Sequence, residues 1–366
     1  MNNIQITEEI LTNDINEILN IIDDKDGRYS VDFYIIKDTQ SKAKNKRRWY
    51  NVYISDYDDN ARDEFLEETI KQLRNLNNKL ENGYSIGDFL NPDESNGNNT
   101  NIETVGECIT VLQNIDEIKT FSVIFNQIIQ GGRPSRKYKN EKIIGYALDI
   151  NLGRLGRVIA FIKSRNIKMI KKGSLVYISK LIKLENDIIL VPLKIDAIYV
   201  EYNNRKYVIV LERTEFERLF KFYEYYKEKS KECLNKLIRL GIIKINPNVK
   251  KEILDSKKYT KKLTQLYESG VFNFHDENGN LIENKYNKFI KLIETAKQHD
   301  KLKNDISYEI ITNNGKTIIE IPSKEALIWF IRVCNKEVLT DFLQEEIYIV
   351  EKKVSYQTTL DLWMKS

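Results

Sequence analysis

A glutamate and a lysine two positions apart on a strand can hold a divalent cation and position a water. The chain offers that pattern at Glu351-Lys352-Lys353. An upstream aspartate has to complete such a site, and Asp341 and Asp305 are the nearest. Neither falls at the end of a convincing neighbouring strand, and Glu-x-Lys recurs by chance in a chain with 58 Lys and Arg and 54 Asp and Glu. The pair reads best as a charged strand edge, with a metal-dependent nuclease as the alternative. His275 and His299 are the only histidines, and nothing marks a Ser or Cys nucleophile beside either. Zinc ligands do not cluster, and no GxxxxGK[ST] loop is present. Gly153-Arg154-Leu155-Gly156 lacks the third glycine and the helix of a dinucleotide fingerprint, so it reads as a hairpin tip. No catalytic residue, metal or cofactor is expected.

The stronger chemical signal is electrostatic. Residues 1–120 carry nearly twice as many Asp and Glu as Lys and Arg. Residues 133–183 reverse the balance, with Arg133, Arg136, Lys137, Lys139, Lys142, Arg154, Arg157, Lys163, Arg165, Lys168, Lys171, Lys172, Lys180 and Lys183 opposed only by Glu141 and Asp149. Such a block makes a local positive potential although the whole chain is only +4. Phosphate backbones bind such surfaces by counterion release, without a sequence motif. The candidate contacts are Arg133, Arg136, Lys137, Arg154, Arg157, Lys163, Arg165, Lys168, Lys171 and Lys172. Tyr138, Tyr146, Phe161 and Tyr177 lie among them and are candidates to stack on bases. The competing reading is a solvated sheet face neutralised by acids such as Asp59, Asp63, Glu64 and Glu67.

The elements that must position these charges centre on residues 186–223. Two β-branched, aromatic-rich runs, Ile195–Tyr202 and Arg205–Leu211, flank Asn203-Asn204 and predict a hairpin. Thr214 with Glu217 three residues on predicts a capping box. The helix it opens has an aromatic face of Phe216, Leu219, Phe220, Tyr223 and Tyr226.

Before that hairpin, apolar spacing predicts a helix over 7–22, strands over Val31–Ile36 and Trp49–Ile54, and a helix over 60–80. Residues 91–101 read as a polar loop and Ile102–Gln130 as mostly helical. Strand-like runs at Ile143–Ile150, Val158–Lys163, Leu175–Ile178 and Ile188–Leu190 complete an antiparallel meander with one apolar and one basic face. After the hairpin the chain is helical and again basic through Lys221–Gly241 and Asn248–Ser269, with Pro247 near a helix start. A short helix over Tyr286–Gln298 precedes a second hairpin, Ser307–Ile321. Ser323 then caps a helix running to Phe342, and a strand follows over Ile347–Tyr356. The expected class is α+β, an antiparallel β meander with packed helices and a C-terminal hairpin-helix-strand unit. The expected division is an acidic region over 1–130 and a second domain over 131–356 (basic sheet 133–211, helical 213–300, hairpin-helix-strand 307–356).

Cys108, Cys233 and Cys334 lie far apart without CxxC spacing, which suits a reducing compartment without structural disulfides or zinc. The N-terminus lacks the basic and apolar blocks of a signal peptide, and no apolar run has the length of a spanning helix. A cytoplasmic protein is expected.

The order of segments adds a resemblance. IDAIYVEYNNRKYVIV is followed by ERTEFERLFKFYEYYKEKSKECLNKL and, much later, by SKEALIWFIRVCNKEVLTDFLQEEIYIVEKKVSY. Together these resemble the uncharacterised-domain family that includes KwaB, the cytoplasmic subunit of the Kiwa antiphage defence system. The matching positions are Ile195-Asp196, Tyr207–Val210, Phe216-Glu217-Arg218-Leu219-Phe220, Leu339-Thr340 and Ile347–Val354. GYALDINLGRLGRVIAFIKS, 145–164, is similar to the family's preceding strand pair, so the resemblance covers about residues 140–356. It implies a DNA-binding protein of antiphage defence that acts with a membrane subunit resembling KwaA and brings no catalytic motif. The expected partners are DNA through its phosphates, that membrane subunit at the inner face of the membrane, and further copies of the chain. A pure interaction scaffold is the third alternative.

Overall fold

The computed structural model describes residues 5–24, 29–40, 48–56, 59–89, 108–134, 142–164, 169–170, 175–178, 180–183, 188–189, 193–276, 279–299, 302–313, 316–335, 338–341 and 346–349. Contacts gather the chain into two compact units, one running to Lys221 and one beginning at Phe222. The division expected at 130/131 is displaced by strand pairing: the acidic first part and the basic block contribute to one sheet.

The first unit runs α1 (Glu8–Asp23), β1 (Ser30–Gln40), β2 (Arg48–Ile54), α2 (Asp59–Glu81), β3 (Ser85–Asp88), β4 (Cys108–Leu112), α3 (Lys119–Ile129), β5 (Lys142–Asn151) and β6 (Gly156–Lys163). Two small pairs follow: β7 (Met169–Ile170) with β10 (Ile188–Ile189), and β8 (Leu175–Ile178) with β9 (Lys180–Lys183). The unit ends with β11 (Ala197–Tyr202), β12 (Arg205–Val210) and α4 (Arg213–Leu219). Its eight-stranded sheet has the order β2-β1-β5-β6-β11-β12-β4-β3, antiparallel except for β3 beside β4. The α+β class with an antiparallel meander is therefore the observed architecture. The hairpin of β11 and β12 turns on Asn203 and Asn204, both at positive φ (49° and 62°), the backbone that a two-residue turn of this hand requires. Part of the passage expected to be helical is strand, because the β-branched run Ile109-Thr110-Val111 extends the ladder beside β12.

Both faces of the sheet are covered. On one, Phe33, Leu148, Ile150, Val158, Ala160, Ile198 and Val200 form a core with Leu11, Ile15 and Ile18 of α1 and Leu73 and Leu76 of α2. On the other, Phe161 meets Phe121 of α3 at 5.7 Å and Phe220, just past α4, at 5.1 Å, while Phe125 lies 4.6 Å from Tyr199. Residues Ile144–Ile150 and Val158–Ile162 are consequently buried without alternation. Along Ile144–Ile150 and Val158–Ile162 neither face is open to carry the charge of the basic block. Charge can emerge only at the strand ends.

The aromatic helix face predicted after the hairpin is divided. No capping box forms at Thr214: α4 starts at Arg213 after Glu212, and Glu217 pairs with Arg213 at 3.1 Å instead. The helix then stops, with Lys221 at φ 55°. Phe216, Leu219 and Phe220 belong to the first unit, and Tyr226 to the second.

The second unit runs α5 (Phe222–Arg239), β13 (Ile243–Ile245), α6 (Pro247–Leu254), α7 (Lys257–Glu268), α8 (Glu283–Gln298), β14 (Glu309–Asn313), β15 (Lys316–Ile321), α9 (Lys324–Cys334), β16 (Val338–Asp341) and β17 (Glu346–Ile349). Phe272, Phe289, Ile293, Ile319, Leu327 and Phe330 lie in its core. Pro247 takes the first helical position, and the single helix expected over 248–269 is broken at Asp255-Ser256. Ser323 caps α9 through Oγ, which accepts from the Ala326 N–H at 3.2 Å. The helix ends at Cys334, eight residues short of Phe342, because Val338–Asp341 pairs as a strand with Glu346–Ile349.

Candidate nucleic-acid interface

Strand β6 serves as a ruler for the basic block. At its C-terminal end the Lys163 N–H donates to the Asp196 carboxylate at 2.6 Å. Asp196 is buried; its own N–H donates to the Phe161 carbonyl, and its carbonyl accepts from the Leu211 and Glu212 amides. Asp196, through its carboxylate and its own backbone groups, thus ties together the end of β6, the entry to β11 and the exit of β12, and fixes where Lys163 leaves the sheet. The Asp196 position that carries the family resemblance is a clasp. The Lys163 Nζ reaches the Ser164 carbonyl at 3.0 Å and is half-buried. Burial lowers its pKa, and the charges of Lys221 and Lys142 lower it further, with Glu215 and Asp196 opposing.

Those neighbours arrive by strand register and close packing. Gly145 pairs with Lys163, so Lys142 lies three residues further toward the same sheet end. A Cβ on Gly145 would sit 2.7 Å from a Leu219 methyl and 2.8 Å from the Ile162 carbonyl. The missing side chain lets α4 approach β5 and β6, which carries Lys221 to that end.

Arg157 stands six residues back along β6, roughly 20 Å away at the rise of a strand. Its guanidinium lies 3.2 Å from the Asp149 carboxylate, and the two side chains are 16% and 3% exposed. Asp149 faces Asp32 across the β1–β5 ladder, and burial pushes its carboxyl up to about 7 despite Arg157. Beside them Glu201 accepts from the Tyr199 hydroxyl at 3.1 Å and pairs with Lys206 at 3.2 Å. Arg154 is exposed on the turn before β6. Apart from Arg154, the basic groups at this end have carboxylate partners.

The structure therefore brings Lys163 together with Lys142 and Lys221 and leaves Arg154 and Arg157 at the opposite end. Arg133 is exposed and bridges the outer side of β2, through its N–H to the Val52 carbonyl at 2.9 Å. It lies in the same row as Lys163 but four strand spacings across, about 19 Å. Arg136, Lys137, Arg165, Lys168, Lys171 and Lys172 lie outside the described residues, as do Glu351 and Lys353. Tyr146 and Phe161 are 1% and 0% exposed and are unavailable for stacking on bases. Tyr138 and the Tyr177 side chain lie outside the described residues. Lys142 belonged to the sequence block but not to the candidate contacts. Lys221 was hidden inside an expected helix, since no Gly or Pro marks the break.

His275 is exposed, and among the described residues no three His, Cys, Asp or Glu side chains gather to hold a metal. The three cysteines are free; burial pushes the Cys233 thiol up to about 12, far from a nucleophilic thiolate. Compared with family models, curated proteins and solved structures, the chain matches none of them.

Proposed function

We propose that this chain is a non-catalytic DNA-binding protein that engages phosphates through the sheet end of Lys142, Lys163 and Lys221. The observation that carries this reading is the crowding of ammonium groups there: Lys163 is held below the ordinary lysine range by burial and by two neighbouring lysines. A phosphate placed at such a cluster relieves the repulsion and releases its own counterions. Arg133 and the block residues Arg136, Lys137, Arg165, Lys168, Lys171 and Lys172 join the same reading through the sequence. The role in antiphage defence, the membrane subunit resembling KwaA, the assembly of several copies and a cytoplasmic location at the inner membrane face rest on the family resemblance of residues 140–356. Among the described residues no helix is long and apolar enough to cross a membrane.

Incubation of the full chain with linear duplex DNA, in Mg²⁺ and in EDTA, tests the proposal. Retarded, intact DNA is expected in both. DNA shortened only in Mg²⁺ would move the assignment to a nuclease, and unretarded DNA would move it to a scaffold.

A further inference from the structure

Residues 222–262 carry twelve Lys and Arg against five Asp and Glu, a second basic stretch lying wholly in the second unit. Its densest part is the start of α7, Lys257-Lys258-Tyr-Thr-Lys261-Lys262. No acidic residue stands three or four positions from Lys257, Lys261 or Lys262. This arrangement opposes helix stability twice. Lys257 with Lys261, and Lys258 with Lys262, are like charges at the spacing where helical side chains meet. All four also crowd the helix end where the peptide dipoles already concentrate positive charge.

The packing beneath holds these charges in place. The Ser230 hydroxyl of α5 donates to the Thr260 carbonyl at 2.7 Å, and the Thr264 hydroxyl donates to the Tyr226 carbonyl at 3.0 Å. These small buried side chains draw α7 onto α5. Lys257 then lies 5.7 Å from the Tyr223 ring centre and Lys261 5.8 Å from that of Tyr226. Helix α6 adds Lys251, exposed, and Lys250, whose Nζ reaches Asn235 and whose pKa is lowered by burial and by Lys231. The nearest acid in sequence, Asp255, is engaged by Lys227 at 2.5 Å.

We infer that α6 and the first two turns of α7 form a separate docking surface for the phosphate backbone of a nucleic acid. A lipid surface fits less well, because lysine-rich membrane-binding helices also present apolar side chains to the acyl boundary. The exposed large hydrophobics described in this unit are Ile238, Leu281, Ile282 and Leu292, none of them on α6 or α7. The inference depends on the DNA reading above only for the choice of probe; its residues are all different.

The test uses the full chain, a fluorescent 25-base-pair duplex and a salt titration. Lys257, Lys258, Lys261 and Lys262 are changed together to Gln. Affinity at low salt should fall at least about tenfold, and the slope of log affinity on log salt should flatten by about 0.9 per lost contact. The thermal midpoint is measured alongside, because the variant removes two like-charge pairs and also two lysine–tyrosine contacts. If that variant melts early, Lys258→Gln/Lys262→Gln decides, since it keeps both tyrosine-stacked lysines. Unchanged affinity and slope would overturn the inference. Loss of binding to phosphatidylserine vesicles with DNA binding intact would also overturn it, in favour of a lipid. Lys142→Gln/Lys163→Gln run in parallel separates the two sites. Loss only there leaves the sheet-end site standing and removes this one.

Discussion

At one end of β6, Arg157 lies against a carboxylate that the fold has taken out of water; at the other, Lys163 shares its surroundings with Lys142 and Lys221. The two residues belong to one basic run of sequence and one strand. They differ in what the neighbouring strands bring alongside. β5 supplies Asp149, diagonal to Arg157, at one end and Lys142 near the other. Net charge along a sequence therefore measures how much positive charge a segment carries, and strand register decides which charges are brought beside one another.

Three perturbations would break or sharpen this contrast. The largest removes the platform that both ends share. Phe220 is fully buried against Phe121, Phe161 and Phe216, so Phe220→Ala should cost about 3–5 kcal/mol and lower the unfolding midpoint sharply. An unchanged midpoint would mean that the aromatic layer does not hold α4 on the sheet, and the position of Lys221 would lose its explanation.

A smaller effect should separate the two ends. Arg157→Ala leaves Asp149 buried without its counter-charge. Because that carboxyl already titrates near 7, it can take up a proton, and the cost should be about 1–3 kcal/mol rather than the full loss of a buried ion pair. Lys163→Gln should shift stability by about 0.5 kcal/mol or less, since a half-buried ammonium is itself costly. Chemical denaturation of both variants provides the check, and equal losses would erase the distinction.

The smallest effect is a pH dependence that belongs to one end alone. The folded protein holds the Asp149 proton up to about 7, whereas the unfolded chain releases it near 3.8. The folded state binds more protons across that window, so this group's contribution to stability falls as pH rises through it. Lowering the pH from 8 to 6 should raise the unfolding midpoint, and Asp149→Asn should remove most of that rise. A variant with the same pH profile as the parent would place the titrating group elsewhere.

Much of this frame was legible in the sequence. The Asn203-Asn204 hairpin, the α1 and α2 helices, the β5–β6 pair and the Ser323 cap follow from local periodicity and turn chemistry, and local signals survive translation into structure. The helix break at Lys221 did not show, because Phe220-Lys221-Phe222 contains neither Gly nor Pro and the aromatic spacing continues through it. The premature end of α9 was hidden likewise: Val338 and Leu339 suit a helix face as well as a strand, and only pairing with Glu346–Ile349 decides. The sheet's second covered face was invisible because α4, which helps cover it, follows β6 only after about fifty residues, and nothing in the local pattern of α3 says which face it packs on. For the candidate site, composition marked out a basic block and could not divide it. Arg157 and Lys163 look alike until the β5 register sets Asp149 beside one and Lys142 near the other.

The central claim is that phosphate binding by this sheet resides at the Lys163 end. It is tested most directly by the salt dependence of duplex binding in two double variants, Lys142→Gln/Lys163→Gln and Arg154→Gln/Arg157→Gln, compared with the parent at matched folded fraction. The lysine pair should lose affinity and flatten the slope of log affinity on log salt by about one to two units, while the arginine pair keeps the parental slope. Equal flattening by both pairs, or flattening by the arginine pair alone, would contradict the account.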